Sequence, residues 1–552
     1  VTGVQTCALP ICMATLTYPS GAVVAYRRDL TGRVQSVAVT TAGTTWTIVD
    51  SINYMPLGPV ASYMLGQPGF SRPVTRTYDA NYALTDLVSE SLNLHFARDV
   101  MGNIKALGNA AGANPAMETY RYDALYRLTS LNDATGTSVE AYTYNKTGDR
   151  LSKTASGLAT GTYGYQSGTH WLTSIGSSAR TYDANGNTSG TSTGSDAFGY
   201  GYNGRNRMTV VQRNGQTVAQ YSYNAMGQRV AKSVTLPQVV DQRFVYDEGS
   251  QLLSEYGTTN RDYIWVDDLP VAVVDGTGAT AKTNYVLADG LGTPRIVRNE
   301  AGVVQWQWPY QGNAFGEMQP SSTAGYAFNL RFPGQYYDVE NGLAYNVNRS
   351  YEPTSGRYIQ SDPIGLGGGI STYAYVASAP LSGVDSSGLA CNARGCWNTP
   401  DELASARMGD FAGYYAKACA GGDRYACRAG EVATNTGDGI RGVLSEVTNR
   451  KLALSIAQHQ PANCPVEFRR LDLQQKMQAI RISLMDSRVD QLSLATPEHP
   501  LQVGRQDIAA FHHADFLKNG AGADAFGGDL WDWTHLQIVT GYNWCEAPAC
   551  RK

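Results

Sequence analysis

The sequence predicts a mainly β protein, a tandem series of β-hairpins, followed by a mostly α-helical C-terminal domain. Three observations predict it. Tyr followed by Asp or Asn recurs at Tyr122-Asp123, Tyr144-Asn145, Tyr182-Asp183, Tyr202-Asn203, Tyr223-Asn224 and Tyr246-Asp247, with gaps of 22, 38, 20, 21 and 23 residues. The chain carries 35 Tyr and 59 Gly in 552 residues, with only 16% charged residues, which is a vocabulary of strands and turns. The composition also breaks near residue 390. Residues 1–389 hold 31 of the 35 Tyr, whereas residues 390–552 hold five of the seven His and seven of the nine Cys.

A chain of 552 residues is expected to form about two to four domains. A net charge of −4 gives the whole molecule no electrostatic footprint for nucleic acid. No apolar run reaches the roughly 18 residues that a membrane-spanning helix needs. Residues 1–12, VTGVQTCALPIC, lack the basic start and long apolar stretch of a secretory signal. They read as a non-native read-through segment, and the natural protein is expected to extend further upstream.

Residues 13–285 form the repeat region. In Ala141–Thr154, Tyr142 and Tyr144 alternate with Thr143, as one face of a strand requires. Asn145-Lys-Thr-Gly148 then makes a turn, and Arg150-Leu-Ser-Lys begins the returning strand. The phrase returns at 199–211 and 220–234. Tyr165 roughly halves the long gap, Tyr78-Asp79 is an earlier copy, and Tyr26-Arg-Arg-Asp29 is a decayed one. A lone hairpin cannot bury its aromatic face, but stacked neighbours can. The competing reading is a generic Tyr-rich β-sandwich, which the regular return of the phrase disfavours. These copies resemble the YD repeats of RHS proteins, insecticidal toxin-complex proteins and teneurins. The resemblance covers about residues 25–389, with decay between 48 and 76, and implies a strip of hairpins that spirals into a shell.

Residues 286–389 change vocabulary. Leu287-Ala-Asp289-Gly-Leu-Gly292-Thr-Pro294-Arg295, Trp306-Gln-Trp308-Pro-Tyr310, Arg349-Ser-Tyr351-Glu-Pro353, Gly356-Arg357-Tyr358, Asp362-Pro363-Ile364-Gly365-Leu366 and Asp385-Ser-Ser-Gly388-Leu389 follow in order. Asp362 and Asp385 stand 23 residues apart, with bends expected at Gly367–Gly369 and at Pro380 and Gly383. Two carboxylates brought together share a proton, one acting as base and the other as acid. The alternative is that each aspartate caps a tight turn. The series resembles the RHS repeat-associated core. That resemblance implies an aspartyl autoprotease which uses this pair, needs no cofactor and cuts Leu389–Ala390. Ser386 stands where the family pattern has Pro, so the rigid φ is lost there. Arg357 matches a core arginine, which either orients a carboxylate or pairs on the surface.

Residues 390–552 turn helical in pattern. Thr399-Pro400-Asp-Glu402 reads as a capping box that opens a helix to about 418, with others near 439–458, 466–489 and 506–518. The 17 basic and 18 acidic residues nearly balance. Arg469, Arg470, Lys476 and Arg481 read as a solvated helix face. His512, His513, Asp515, Asp532 and His535 form the richest polar cluster. They fit a general base or a divalent metal site, and equally an ordinary structural role at a helix end. Seven cysteines make no zinc-ribbon pattern. Cys391 with Cys396, and Cys545 with Cys550, have spacings that disulfides could use.

Two functions follow. The resemblance implies a delivered toxin: a shell encloses the tail, the core cuts it free, and an export apparatus docked through an upstream region carries it out to a target-cell macromolecule. A cognate immunity protein would protect the producer. In that reading the protein is a secreted, surface-exposed effector in competition between bacteria, and its tail is a hydrolase, with nuclease as the first expectation. The alternative is a surface or wall-associated YD-repeat adhesion protein with a non-toxic tail. The sharp compositional break at 389–390 favours the first.

Overall fold

The computed structural model describes residues 13–397, apart from 30, 57, 68, 70, 156–159 and 393–394. The expected read-through segment 1–12 lies outside the described residues. So do the tail helices, the His512, His513, Asp515, Asp532 and His535 cluster, and Cys545 with Cys550, while Cys391 and Cys396 lie on the short strands Ala390–Asn392 and Gly395–Trp397. Contacts along the chain separate a unit that ends at Cys396 from one that begins at Trp397.

Within the first unit, 29 strands from Thr15–Thr17 to Ser321–Ser322 make one sheet among the described residues. Each strand pairs antiparallel with its successor, as hairpin after hairpin is added. The strip runs through 48–76, where the repeat phrase is decayed: Thr44–Tyr54, Val60–Leu65 and Arg72–Tyr78 pair in turn. It also passes residue 286 unbroken, through Lys282–Ala288, Pro294–Asn299 and Val304–Gln307.

The repeated residues explain the repeated geometry. Where a phrase opens on a tyrosine, that tyrosine faces the core: Tyr120, Tyr142, Tyr163, Tyr200 and Tyr221 are buried. The second aromatic sits where the ladder slips by one residue, so that Tyr202 pairs with Met208 and Tyr223 with Arg229. The following Asp or Asn folds the turn. Asn203 Oδ1 accepts the backbone N–H groups of Arg205 at 2.9 Å and Arg207 at 3.1 Å, as Asp183 does for Asn185 and Asn187. The tyrosine hydroxyl then donates to a carbonyl one hairpin back. Tyr202 Oη reaches Thr188 O at 2.7 Å, and Tyr223 Oη reaches Met208 O at 2.6 Å. That reach sets the period near twenty residues, because each hairpin must end beside the return strand of its predecessor.

A second sheet of four short strands, Tyr336–Asp338, Leu343–Asn346, Arg349–Glu352 and Arg357–Tyr358, packs against the strip. Trp306 and Phe328 lie in the same buried cluster as Phe332, Tyr351, Tyr358 and Tyr375. Buried ion pairs fix the register of the two sheets. Arg229 meets Asp338 at 2.6 Å, Lys232 meets Glu340 at 2.9 Å, and Arg180 meets Glu352 at 2.5 Å. No helix among the described residues is long and apolar enough to cross a membrane.

Candidate self-cleavage site

Residues 346–349 make a tight hairpin in which Asn346 pairs with Arg349. The strand that follows sets Tyr351 opposite Tyr358. Arg349, Tyr351 and Tyr358 therefore share one face of this small sheet, since side chains alternate along a strand. Arg349 is fully buried, with its guanidinium carbon 3.7 Å from the centre of the Tyr358 ring.

That guanidinium draws both predicted aspartates together. Arg349 Nη2 lies 3.0 Å from Asp362 Oδ2 and 3.3 Å from Asp385 Oδ2. The same nitrogen donates to Leu389 O at 2.5 Å, and Nε donates to Gly388 O at 2.6 Å. Tyr358 Oη donates to Asp385 Oδ2 at 2.7 Å, and Leu389 N–H donates to Asp385 Oδ1 at 3.0 Å. Asn346 Nδ2 holds the Asp385 carbonyl at 2.7 Å. Both carboxylates thus gather around the carbonyl of the bond expected to break. The backbone of Ala390–Asn392 runs beside the turns Gly365–Gly368 and Val376–Ser378.

Two glycines make this approach possible. A Cβ on Gly368 would collide with Asp362 Oδ2, and one on Gly388, where φ is 68°, would collide with Asn346 O. Burial pushes the Asp385 carboxyl above the usual range, against the opposing pull of Arg349 and Tyr358. Asp362, ion-paired to Arg349, also receives the Ile364 N–H on Oδ1 at 3.1 Å. The turn-capping alternative is thus partly realised in the same residue.

Arg357 belongs elsewhere. It pairs across the ladder with Glu352, on the opposite face from Tyr358. Its Nη1 donates to Tyr165 Oη at 2.9 Å and its Nη2 to His170 O at 2.7 Å. The arginine at the carboxylates is Arg349. The strand period alone places Arg357 and Tyr358 on opposite faces, and the cross-strand register of Tyr351 with Tyr358 puts Arg349 on the face of Tyr358.

The teneurin YD-shell family profile matches residues 74–365, just over half of the chain. Double-stranded DNA deaminase toxin A of Burkholderia cenocepacia is 32% identical over 220 residues, covering 34% of this chain and 15% of that protein. Toxin protein Tse5 of Pseudomonas aeruginosa is 27% identical over 366 residues, covering 50% of this chain and 27% of that one. The chain spans under a third of the length of either relative. Among solved structures, the crystal structure of TcdB2-TccC3 shares the fold, with a TM-score of 0.57 at 18% identity, over 69% of this chain and 22% of that one.

Proposed function

The chain belongs to the teneurin YD-shell family, and on that premise we propose that it is the repeat shell and self-cleaving core of an RHS-type polymorphic toxin, cut at Leu389–Ala390 to release the residues that follow. One observation carries the reading: a single buried guanidinium joins Asp362, Asp385 and the Leu389 carbonyl.

The chemistry is amide hydrolysis. Asp362, ion-paired to Arg349, takes a proton from water, whose oxygen attacks the Leu389 carbonyl carbon. Arg349 stabilises the negative charge that grows on the carbonyl oxygen. Asp385, which burial inclines to keep its proton, gives that proton to the Ala390 nitrogen as the C–N bond breaks. The products are a Leu389 carboxyl and an Ala390 amine.

The toxin relatives support a wider reading. The freed residues act inside a competing bacterium, an export apparatus docks through an upstream region, and a cognate immunity protein guards the producer. The tail is a mostly helical hydrolase whose His512, His513, Asp515, Asp532 and His535 form its site, with a divalent metal as the candidate cofactor.

N-terminal sequencing of the purified chain tests the core claim. A fragment beginning at Ala390 is expected from the wild type, and none from Asp362→Asn or Asp385→Asn. Cutting at that bond in either variant defeats the dyad.

A further inference from the structure

We propose that two repeat positions of the strip, Asp149 and Arg207, position the two halves of the Asp362–Asp385 site, so that cleavage waits until their hairpins are laid against the core segment. The proposal rests on the self-cleavage reading above.

Both residues occupy the same place in the repeat, five after its second tyrosine, Tyr144 or Tyr202. In other copies this place stays within the strip. Arg127 returns to Asp123, Asn187 to Asp183, and Gln228 to Asn224 and Asp247. In these two copies it also reaches the core segment.

Asp149 is 3% exposed and accepts Ser371 Oγ on Oδ1 at 2.8 Å. His170 Nδ1 lies 2.8 Å from Oδ2, and Asn145 Nδ2 donates to the same oxygen at 3.0 Å. Burial pushes this carboxyl up, but these bonds and the charge of Arg357 hold it below the usual range, so it stays an acceptor. Ser371 is chained to Thr372, whose carbonyl accepts Asp362 N–H at 2.8 Å and Arg349 Nη1 at 3.1 Å. One strip carboxylate thus anchors the residue that aims both Asp362 and Arg349. Arg357, through His170 O and Tyr165 Oη, ties down the hairpin that supplies His170.

Arg207 holds the other half. Its Nη1 donates to Asn348 O at 2.9 Å and its Nη2 to Asn348 Oδ1 at 2.6 Å. Asn348 Nδ2 in turn donates to Ser387 O at 2.8 Å, between Asp385 and Leu389. The strip therefore grips both segments of the site, one through Ser371 and Thr372 and the other through Asn348 and Ser387.

The test is a time course of fragment release from the full chain made by cell-free translation. Ser371→Ala and Arg207→Met are expected to slow release on the order of tenfold or more. Ser371→Thr, which keeps the hydroxyl, should restore it to within about threefold of wild type. The same changes in an uncleavable Asp362→Asn chain should leave the melting temperature within about 2 °C, separating positioning from loss of fold. Release at the wild-type rate from Ser371→Ala and Arg207→Met overturns the positioning role alone. Slowing that Ser371→Thr does not rescue, or that tracks a lowered melting temperature, also overturns it. A wild-type chain that stays uncut overturns the self-cleavage reading and this proposal with it.

Discussion

Arg349 shows how much one side chain can organise. Its planar fork contacts two carboxylates and three backbone carbonyls, which a lysine cannot match from a single point charge. Arg349→Lys is therefore expected to slow cleavage on the order of a hundredfold or more, measured as fragment release over time. The pH profile should follow Asp385. Its folded value is raised by burial, so the protonated acid persists above the ordinary aspartate range and is lost as pH climbs through the raised value. Release should then fall on the alkaline side of that value. Glu118 gives a second, independent case. Burial raises it from 4.5 to about 7, while Tyr120 Oη and Gly312 N–H donate to it at 2.8 and 3.0 Å. Its contribution to stability is full below about 4.5 and disappears as pH rises through about 7, above which a buried charge must be carried. Glu118→Gln in the Asp362→Asn chain should therefore gain stability relative to its parent between pH 5 and pH 8, by up to about 3 kcal/mol. Chemical denaturation at the two pH values measures it, and a pH-independent difference refutes it.

The hairpin is the element that the sequence spells out. Alternating aromatics, a turn begun by Asp or Asn and a returning strand are all local features, so the phrase could be read residue by residue. What each tyrosine hydroxyl does could not be read that way, because its partner lies a whole hairpin earlier. Tyr202→Phe uncovers the Thr188 carbonyl and should weaken that junction by about 1 kcal/mol. Amide exchange in Thr188–Thr193 and Asp196–Tyr202 should then quicken roughly fivefold, with distant hairpins unchanged. The vocabulary change at 286 reflects a new partner and not the end of the sheet. From there the strand Val304–Gln307 and the residue that follows it carry Trp306 and Trp308 into the aromatic cluster that seats the second sheet.

For the molecule as a whole, the proposed toxin reading makes residues 390–552 the active part. Induced alone in a bacterium, they are expected to stop growth, and His512→Ala, His513→Ala or His535→Ala in a folded tail should relieve it. Growth curves with the wild-type tail alongside decide this. A harmless wild-type tail favours the adhesion reading, and undiminished toxicity in all three variants moves the site elsewhere. By itself the sequence determined the β-hairpin array and the family, and it named Asp362 and Asp385 as a candidate pair, because turns, strand alternation and motif order are written in neighbouring residues. Only the tertiary structure decided that Arg349, and not Arg357, joins the pair to the Leu389 carbonyl. The reason is physical: the joining contacts reach across 13 to 40 residues of chain, and the face each arginine presents depends on how short strands pair.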